Sequence, residues 1–219
     1  MFYNGIKVIA KKYFLVIIFF SFIFLGGGTI EQTINCTAVV LCGGKSSRMG
    51  FDKALLQLDG EFMLLKTIKQ LKKIFSHTML VTDRRAKFPP IFSQVYMLED
   101  QYPEKGPLGG LVTALENIET DHLFLLACDI PNLHSELIWK MAKDIQAYDI
   151  VICKQDYRFE PLYAFYHRSC QPIFQQQLKT NDWRIRKEFR QFSVKVMTLE
   201  SSFELKNVNT PKELILWNQ

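Results

Sequence analysis

At 219 residues, with 48% apolar side chains and a net charge of +5, the chain suits one α/β domain with a sizeable core. The positive charge is modest and spread along the chain, which fits a site for anionic small molecules and is weak evidence for nucleic acid. Five cysteines without a C-x-x-C pair, and four scattered histidines without an H-E-x-x-H motif, argue against a disulfide frame or a zinc site and predict reduced thiols in a cytosolic protein.

The chain opens on an apolar segment. Tyr13 to Ile30 carries no charge and follows Lys7, Lys11 and Lys12. As a helix it would span roughly 27 Å, the lower limit for crossing a bilayer, and the preceding lysines would keep the N-terminus inside. A signal-peptide reading gives the same outward placement. The reduced thiols expected from the cysteine pattern point the other way. The expectation is therefore a tail over residues 1–32, either an over-extended start or a membrane segment, and a cytoplasmic domain over 33–219. A later start would need a non-AUG codon, since no methionine lies between Met1 and Met49.

Thr37 to Leu41 is a short β-branched, apolar run that suits a strand buried on both faces. Gly43 and Gly44 follow at once, where the backbone can turn sharply and approach a ligand without a Cβ in the way. Hydroxyls and two cations, Arg48 and Lys53, come next. Backbone N–H groups with a guanidinium and an ammonium suit a polyphosphate. Neither the Walker register nor the dinucleotide fingerprint fits these glycines.

The run L-x-G-G-x-S-x-R-M-G-x-D-K, from Leu41 to Lys53, resembles the opening signature of molybdenum cofactor guanylyltransferases, the MobA family. A bland glycine turn accounts for Gly43 and Gly44 but not for Arg48, Met49, Gly50, Asp52 and Lys53 at those offsets. The resemblance implies a nucleotide cradle at Leu41, Cys42, Gly43 and Gly44. It also implies Lys53 on the α-phosphate and Arg48 on the outer phosphates. Cys42 stands where alanine is usual, a small departure that predicts mild oxidation sensitivity.

Beyond Lys53, Asp59-Gly60 is a turn signal. Leu64, Leu65, Ile68, Leu71 and Phe75 recur at helical spacing and predict a helix over 62–75. Strands are predicted at 78–82 and 95–98. Family nucleotide contacts fall near Val81 to Asp83, with no residue singled out. Asp100, after the third strand, is a nucleotide-binding carboxylate by resemblance, or else an ordinary loop acid. Gly106-Pro107-Leu108-Gly109-Gly110 opens a helix through Leu111, Leu115 and Ile118, in the order of the family's G-P-L-x-G run. Such a start is also common for structural reasons alone.

His122 to Ala127 reads as the most strongly apolar strand and ends in Cys128-Asp129-Ile130-Pro131. A carboxylate at the C-terminal end of a central parallel strand sits where such sheets bind ligands. The resemblance makes Asp129 the magnesium ligand; capping the helix near Ser135 is the alternative, and Asp129 stands several residues too early for it. A helix through Leu137, Ile138, Met141 and Ile145 follows, then a strand at 149–153. Arg158 to Tyr166 resembles the family's E-P-L-x-A-x-Y segment and reads as a loop feeding a buried strand, with Arg158 and Glu160 open to a binding role.

Trp183 to Phe192 is basic, containing Arg184, Arg186, Lys187 and Arg190, where the family has an arginine-bearing helix; a solvated face explains it equally well. Strand 194–199 is the last. Asn207 to Leu214 reads N-x-N-T-P-x-[ED]-L. Thr210, Pro211 and Glu213 suit a helix cap. Asn207 and Asn209 are left as site candidates.

Alternating strands and crossover helices predict a three-layer, Rossmann-like nucleotidyltransferase fold with a mostly parallel central sheet. The resemblance, covering about Thr37 to Leu216, implies transfer of GMP from magnesium-bound GTP to molybdopterin or the molybdenum cofactor, with pyrophosphate leaving. It implies no nucleic acid partner; membrane contact through residues 13–30 is possible but not favoured. Two alternatives stand beside it. One is a CTP-dependent cytidylyltransferase acting on the same pterin, whose group resembles L-A-A-G at the cradle. The other is a non-catalytic, membrane-tethered nucleotide-binding protein, which would have no need of both Lys53 and Asp129.

Overall fold

A computed structural model describes residues 32–43, 52–200, 203 and 205. The chain divides between Gln32 and Thr33, and the unit described here is the one that begins at Thr33. Among the described residues no helix is long and apolar enough to cross a membrane. The segment Tyr13 to Ile30 lies outside them.

In chain order the elements are β1 (Ile34–Cys42), β2 (Gln57–Leu58), β3 (Glu61–Phe62), α1 (Met63–Ile74), β4 (Phe75–Thr82), β5 (Met97–Glu99), α2 (Gly106–Asn117), β6 (His122–Ala127), α3 (Ser135–Ala142), β7 (Ile150–Gln155), β8 (Arg158–His167), α4 (Gln171–Gln177) and β9 (Val194–Thr198). Seven strands form one sheet in the order β5-β4-β1-β6-β8-β7-β9. Only β8 runs against the others. The sheet is therefore mostly parallel.

Residues alternate sides along each strand, so β1 and β6 contribute to two cores. Ala38, Val40, Phe124 and Leu126 pack with Leu64, Ile68 and Leu71 of α1 and with Ile138 and Met141 of α3. Val39, Leu41, Leu123 and Leu125 pack with Leu108, Leu111 and Leu115 of α2 and with Phe174 of α4. Every residue of β6 is buried, as expected of a strand covered on both faces. Two helices on each face of the sheet make the three layers.

The chain goes outward from β1 through β4 to β5, and then returns to the opposite side of β1 as β6. The strand order thus reverses beside β1, and the crevice at the C-terminal strand ends of such a reversal is where open α/β sheets bind ligands. Helix α2 makes the return and packs closely. A Cβ on Gly109 would lie 2.5 Å from the Tyr102 carbonyl oxygen, and one on Gly110 would lie 3.0 Å from Leu41 Cδ2. These glycines let α2 settle against β1 and against the turn after β5, a packing reason for the G-P-L-G-G run.

Several boundaries differ from the sequence reading. Asp59 and Gly60, with φ of 52° and 80°, close the small β2–β3 hairpin as the turn signal indicates. Strand β4 starts at Phe75, directly where α1 ends. Helix α3 stops at Ala142, although Ile145 is still buried. Arg158 to Pro161 is not a loop: β8 begins at Arg158 and pairs with β7 across a tight turn in which Asp156 has φ of 51°. An irregularity between Ile152 and Cys153 shifts that register, so Ile152 faces Ala164 while Cys153 faces Glu160. The basic stretch forms a short 3-10 helix over Ile185–Gln191 rather than an α-helix. Helix α4 has no counterpart in the sequence reading.

Candidate active site

Three neighbouring parallel strands, β4, β1 and β6, deliver Thr82-Asp83, Cys42-Gly43 and Cys128-Asp129 to the same edge of the sheet. Leu41 and Cys42 are buried at the end of β1. The Cys128 N–H donates to Leu41 O at 3.1 Å, and the Thr82 hydroxyl donates to Cys42 O at 3.2 Å. The strand end is thus tied on both sides just before the glycine turn. At Gly43 a Cβ would meet the Asp83 backbone nitrogen at 3.5 Å, ordinary contact. The packing around it therefore does not require glycine at this position.

Lys53 returns to this edge on a 3-10 turn, Lys53–Leu55. Asp52 caps that turn: its Oδ1 accepts from the Ala54 N–H at 3.0 Å, which supports a side chain capping role of the usual Asx kind. Lys53 Nζ then donates to Asp129 Oδ2 at 3.0 Å, with both side chains 18% exposed. The pair is sheltered but reachable. Asp129 lies in the turn after β6, whereas the N-cap of α3 is His134; helix capping is therefore not its role. Two residues chosen from separate motifs, one as a phosphate ligand and one as a metal ligand, meet in one ion pair.

Asp100 stands elsewhere on the edge, after β5, the outermost strand. Its Oδ1 accepts from the Tyr102 N–H and from the Thr113 hydroxyl, each at 2.9 Å. These bonds fasten the turn after β5 to α2, so the loop-acid role is real whatever else Asp100 binds. Gly44, Arg48, Asn207 and Asn209 lie outside the described residues. Leu205, just before the asparagines, is buried, and its N–H donates to Gln155 Oε1 at 2.9 Å at the end of β7.

The other candidates separate. Glu160 faces Cys153 across the β7–β8 pair; burial pushes its carboxyl above the usual range, against the pull of Arg158. Arg184 is exposed and paired with Asp182, its Nε at 2.8 Å from Oδ1, and Lys187 shares that carboxylate at 3.8 Å. Arg186 and Arg190 are exposed. The Cys42 thiol is almost fully enclosed, and its pKa is pushed well above the ordinary value by burial and by a hydrogen bond with Cys128. A protonated, buried thiol is unreactive, so the oxidation sensitivity anticipated for Cys42 finds no support.

One residue of this region carries no motif signal. Lys87 Nζ lies 2.8 Å from Asp52 Oδ2 and 2.7 Å from Asp83 Oδ1, and donates to Cys42 O at 2.9 Å. It comes from the 3-10 turn Arg85–Lys87 between β4 and β5. In the sequence it belongs to a basic loop with Arg84 and Arg85, and only the acids at Asp52 and Asp83 could have hinted at a partner.

A family model described as "MobA-like NTP transferase domain" matches residues 38–194. A protein named "Probable molybdenum cofactor guanylyltransferase" from Natranaerobius thermophilus is 32% identical over 197 residues, covering 84% of this chain and 95% of its own. One of the same name from Carboxydothermus hydrogenoformans is 33% identical over 188 residues, covering 82% and 93%. Among solved structures, molybdopterin-guanine dinucleotide biosynthesis protein A from Archaeoglobus fulgidus superposes with a TM-score of 0.69 at 21% identity, covering 82% of this chain and 95% of that one. A nucleotidyl transferase from Methanothermobacter thermautotroptrophicus gives a TM-score of 0.65 at 16% identity, covering 84% and 95%; both likenesses concern the fold. With the family model spanning well over half of the chain and relatives above 30% identity along most of it, this chain belongs to the MobA-like NTP transferase family and is a nucleotidyltransferase.

Proposed function

We propose that this nucleotidyltransferase moves GMP from GTP to molybdopterin, or to its molybdenum form, and releases pyrophosphate. The observation that carries the reading is the Lys53–Asp129 pair at the strand ends beside Gly43. A cation and an anion held together there are ready to be parted by a phosphate and its accompanying metal ion. Relatives named for molybdenum cofactor guanylyltransfer support the choice of substrates.

Magnesium fits the residues present. Asp129 Oδ2 already faces a cation, the Lys53 ammonium. Magnesium in nucleotide enzymes is commonly held by one or two carboxylates together with substrate phosphates. Among the described residues no group of three or more histidine, cysteine or acidic side chains gathers to hold an ion by itself, which agrees with a metal that arrives on the nucleotide. When bound, it would supply positive charge against the phosphate oxygens. Asp129 would hold it, and Lys53, released from Asp129, would bind and orient the α-phosphate.

The acceptor is a phosphate monoester, whose second pKa near 6 leaves it mostly dianionic at neutral pH. It can attack the α-phosphorus in line without a protein base: one P–O bond forms to the acceptor oxygen, and the bond to pyrophosphate breaks. Catalysis then rests on positioning and charge neutralisation. Leu41 to Gly44 supply the cradle, Arg48 the outer phosphates, and Asp100, Asn207 and Asn209 further contacts to nucleotide or pterin. The five cysteines are all free thiols, in keeping with a cytoplasmic enzyme that draws on GTP.

The Gly43-Gly44 pair underlies the choice of guanine. Titration of the purified protein with GTP, CTP and ATP in the presence of magnesium should show GTP binding at least about tenfold more tightly, or about 1.4 kcal/mol. Equal or tighter binding of CTP would replace guanylyl by cytidylyl transfer and leave the enzyme class intact.

A further inference from the structure

Lys87 differs from an ordinary basic loop residue in where its charge is spent. An ammonium has three N–H donors and no acceptor. Lys87 Nζ has three oxygens at hydrogen-bonding distance, from Asp52, Asp83 and Cys42, and its side chain is only 8% exposed. Burial alone would lower its pKa, but the two carboxylates outweigh burial and raise it. Asp83 is held ionised in return: Lys87 and the Thr82 hydroxyl overcome the effect of its burial. With its donors already taken, Lys87 is poorly suited to hold a substrate phosphate itself.

Its partners show what it does instead. Cys42 O is the last carbonyl of β1 before the glycine turn, and Asp83 follows directly on β4. Asp52 divides its carboxylate: Oδ2 meets Lys87, and Oδ1 receives the Ala54 N–H inside the Lys53 turn. The Leu55 N–H adds a second tie, to Asp52 O at 2.9 Å. An unbroken chain of contacts thus runs from β1 and β4 through Lys87 and Asp52 to the turn that carries Lys53. Without Lys87, the Asp52 and Asp83 carboxylates would face one another uncompensated, and like charges of that kind repel.

We propose that Lys87 is a positioning residue for nucleotidyl transfer, fixing the Asp52 carboxylate, and through it the Lys53 turn, against the ends of β1 and β4. The inference rests on the reading of Lys53 as the ligand of the reacting phosphate.

The test uses the full chain with Lys87→Met, Lys87→Arg, Asp52→Asn and the Lys87→Met/Asp52→Asn pair, and two readouts. The first is amide exchange at Ala54 without nucleotide, compared with exchange in β6. The second is kcat with whichever nucleoside triphosphate the unmodified protein turns over. Lys87→Met should speed exchange at Ala54 while β6 stays protected, and should lower kcat by about tenfold to a hundredfold, as small misplacements of a catalytic group do. The KM for the pterin acceptor should not move. Lys87→Arg, which can still bridge two carboxylates, should recover most of the rate. The double variant should be little worse than either single one, because both cut the same tie. Asp52→Asn cuts it from the more exposed side, and should give the same kinetic loss even if Lys87→Met folds poorly. Unchanged Ala54 exchange, an unchanged kcat in Asp52→Asn, or losses that multiply in the double variant would overturn the proposal. Because exchange is read without nucleotide, a wrong guanylyl assignment shows in the choice of triphosphate and leaves this result standing.

Discussion

Lys53 and Asp129 satisfy each other at 3.0 Å while each keeps 18% of its side chain exposed. In the proposed reaction Lys53 would exchange Asp129 for a phosphate, and Asp129 would hold the metal ion, so neither group would be left buried and unpaired. Replacing Asp129 by asparagine keeps its shape and an oxygen for Lys53, and removes only the charge. The melting curve should barely move, while GMP transfer at saturating magnesium should fall on the order of a hundredfold or more, the usual loss when an electrostatic element of this kind is removed. Near-normal transfer with an unchanged melting curve would mean that the metal is held elsewhere, with Asp100 or Asn209 next to be examined. At this scale the sequence was most informative where a residue type at a fixed offset had no structural excuse. Lys53 and Asp129, singled out in that way, meet in one ion pair at the strand ends. Lys87 was not singled out, because a lysine beside two arginines looks solvated until tertiary contacts bring Asp52 and Asp83 around it.

Among the elements, α2 links the fold to the site most directly, since a Cβ on Gly110 would press on Leu41 and one on Gly109 would strike the turn that Asp100 holds. The two glycine sites at this edge should respond differently to alanine. At Gly109 the new Cβ would strike a backbone oxygen at 2.5 Å. Alanine gains up to about 1 kcal/mol in helix propensity over glycine, but a backbone shift in a packed region costs about 1–3 kcal/mol. Gly109→Ala should therefore lower the melting temperature by a few degrees. Gly43→Ala meets only ordinary contacts at 3.5 Å and beyond; it should melt like the unmodified protein but bind GTP more weakly. The reverse pattern, checked by thermal unfolding and GTP titration, would show that Gly43 serves the fold and Gly109 does not. The parallel strands were legible because a strand covered on both faces is a continuous apolar run, as in β6. Two elements were not. The antiparallel course of β8 depends on the turn at Asp156 and Tyr157, whose left-handed φ is borne by an aspartate with no glycine beside it. Helix α4 is short and rich in glutamine, with Phe174 and Gln177 its buried residues, too little pattern to mark a helix.

For the molecule as a whole, the crevice follows from chain path: out from β1 to β5 by way of β4, then back to β6. That path brings residues from three strand ends together although they lie far apart in sequence. The seven strands and two helical layers belong to the unit beginning at Thr33. That unit holds every described residue of the proposed machinery. The mostly parallel sheet was expected from the sequence, whereas the strand that runs against the others, β8, and the close approach of α2 emerged only with the structure; the order of motifs along the chain already matched the order of strand ends. What this arrangement is built to do is tested most directly by one reaction: the protein, molybdopterin and magnesium with GTP and CTP together at equal concentration, the products identified by mass. The guanine dinucleotide form of the pterin should appear with an equal amount of pyrophosphate, and its cytosine counterpart at no more than about a tenth of that level. A product dominated by cytosine, or nucleotide binding with no dinucleotide formed, would contradict the account.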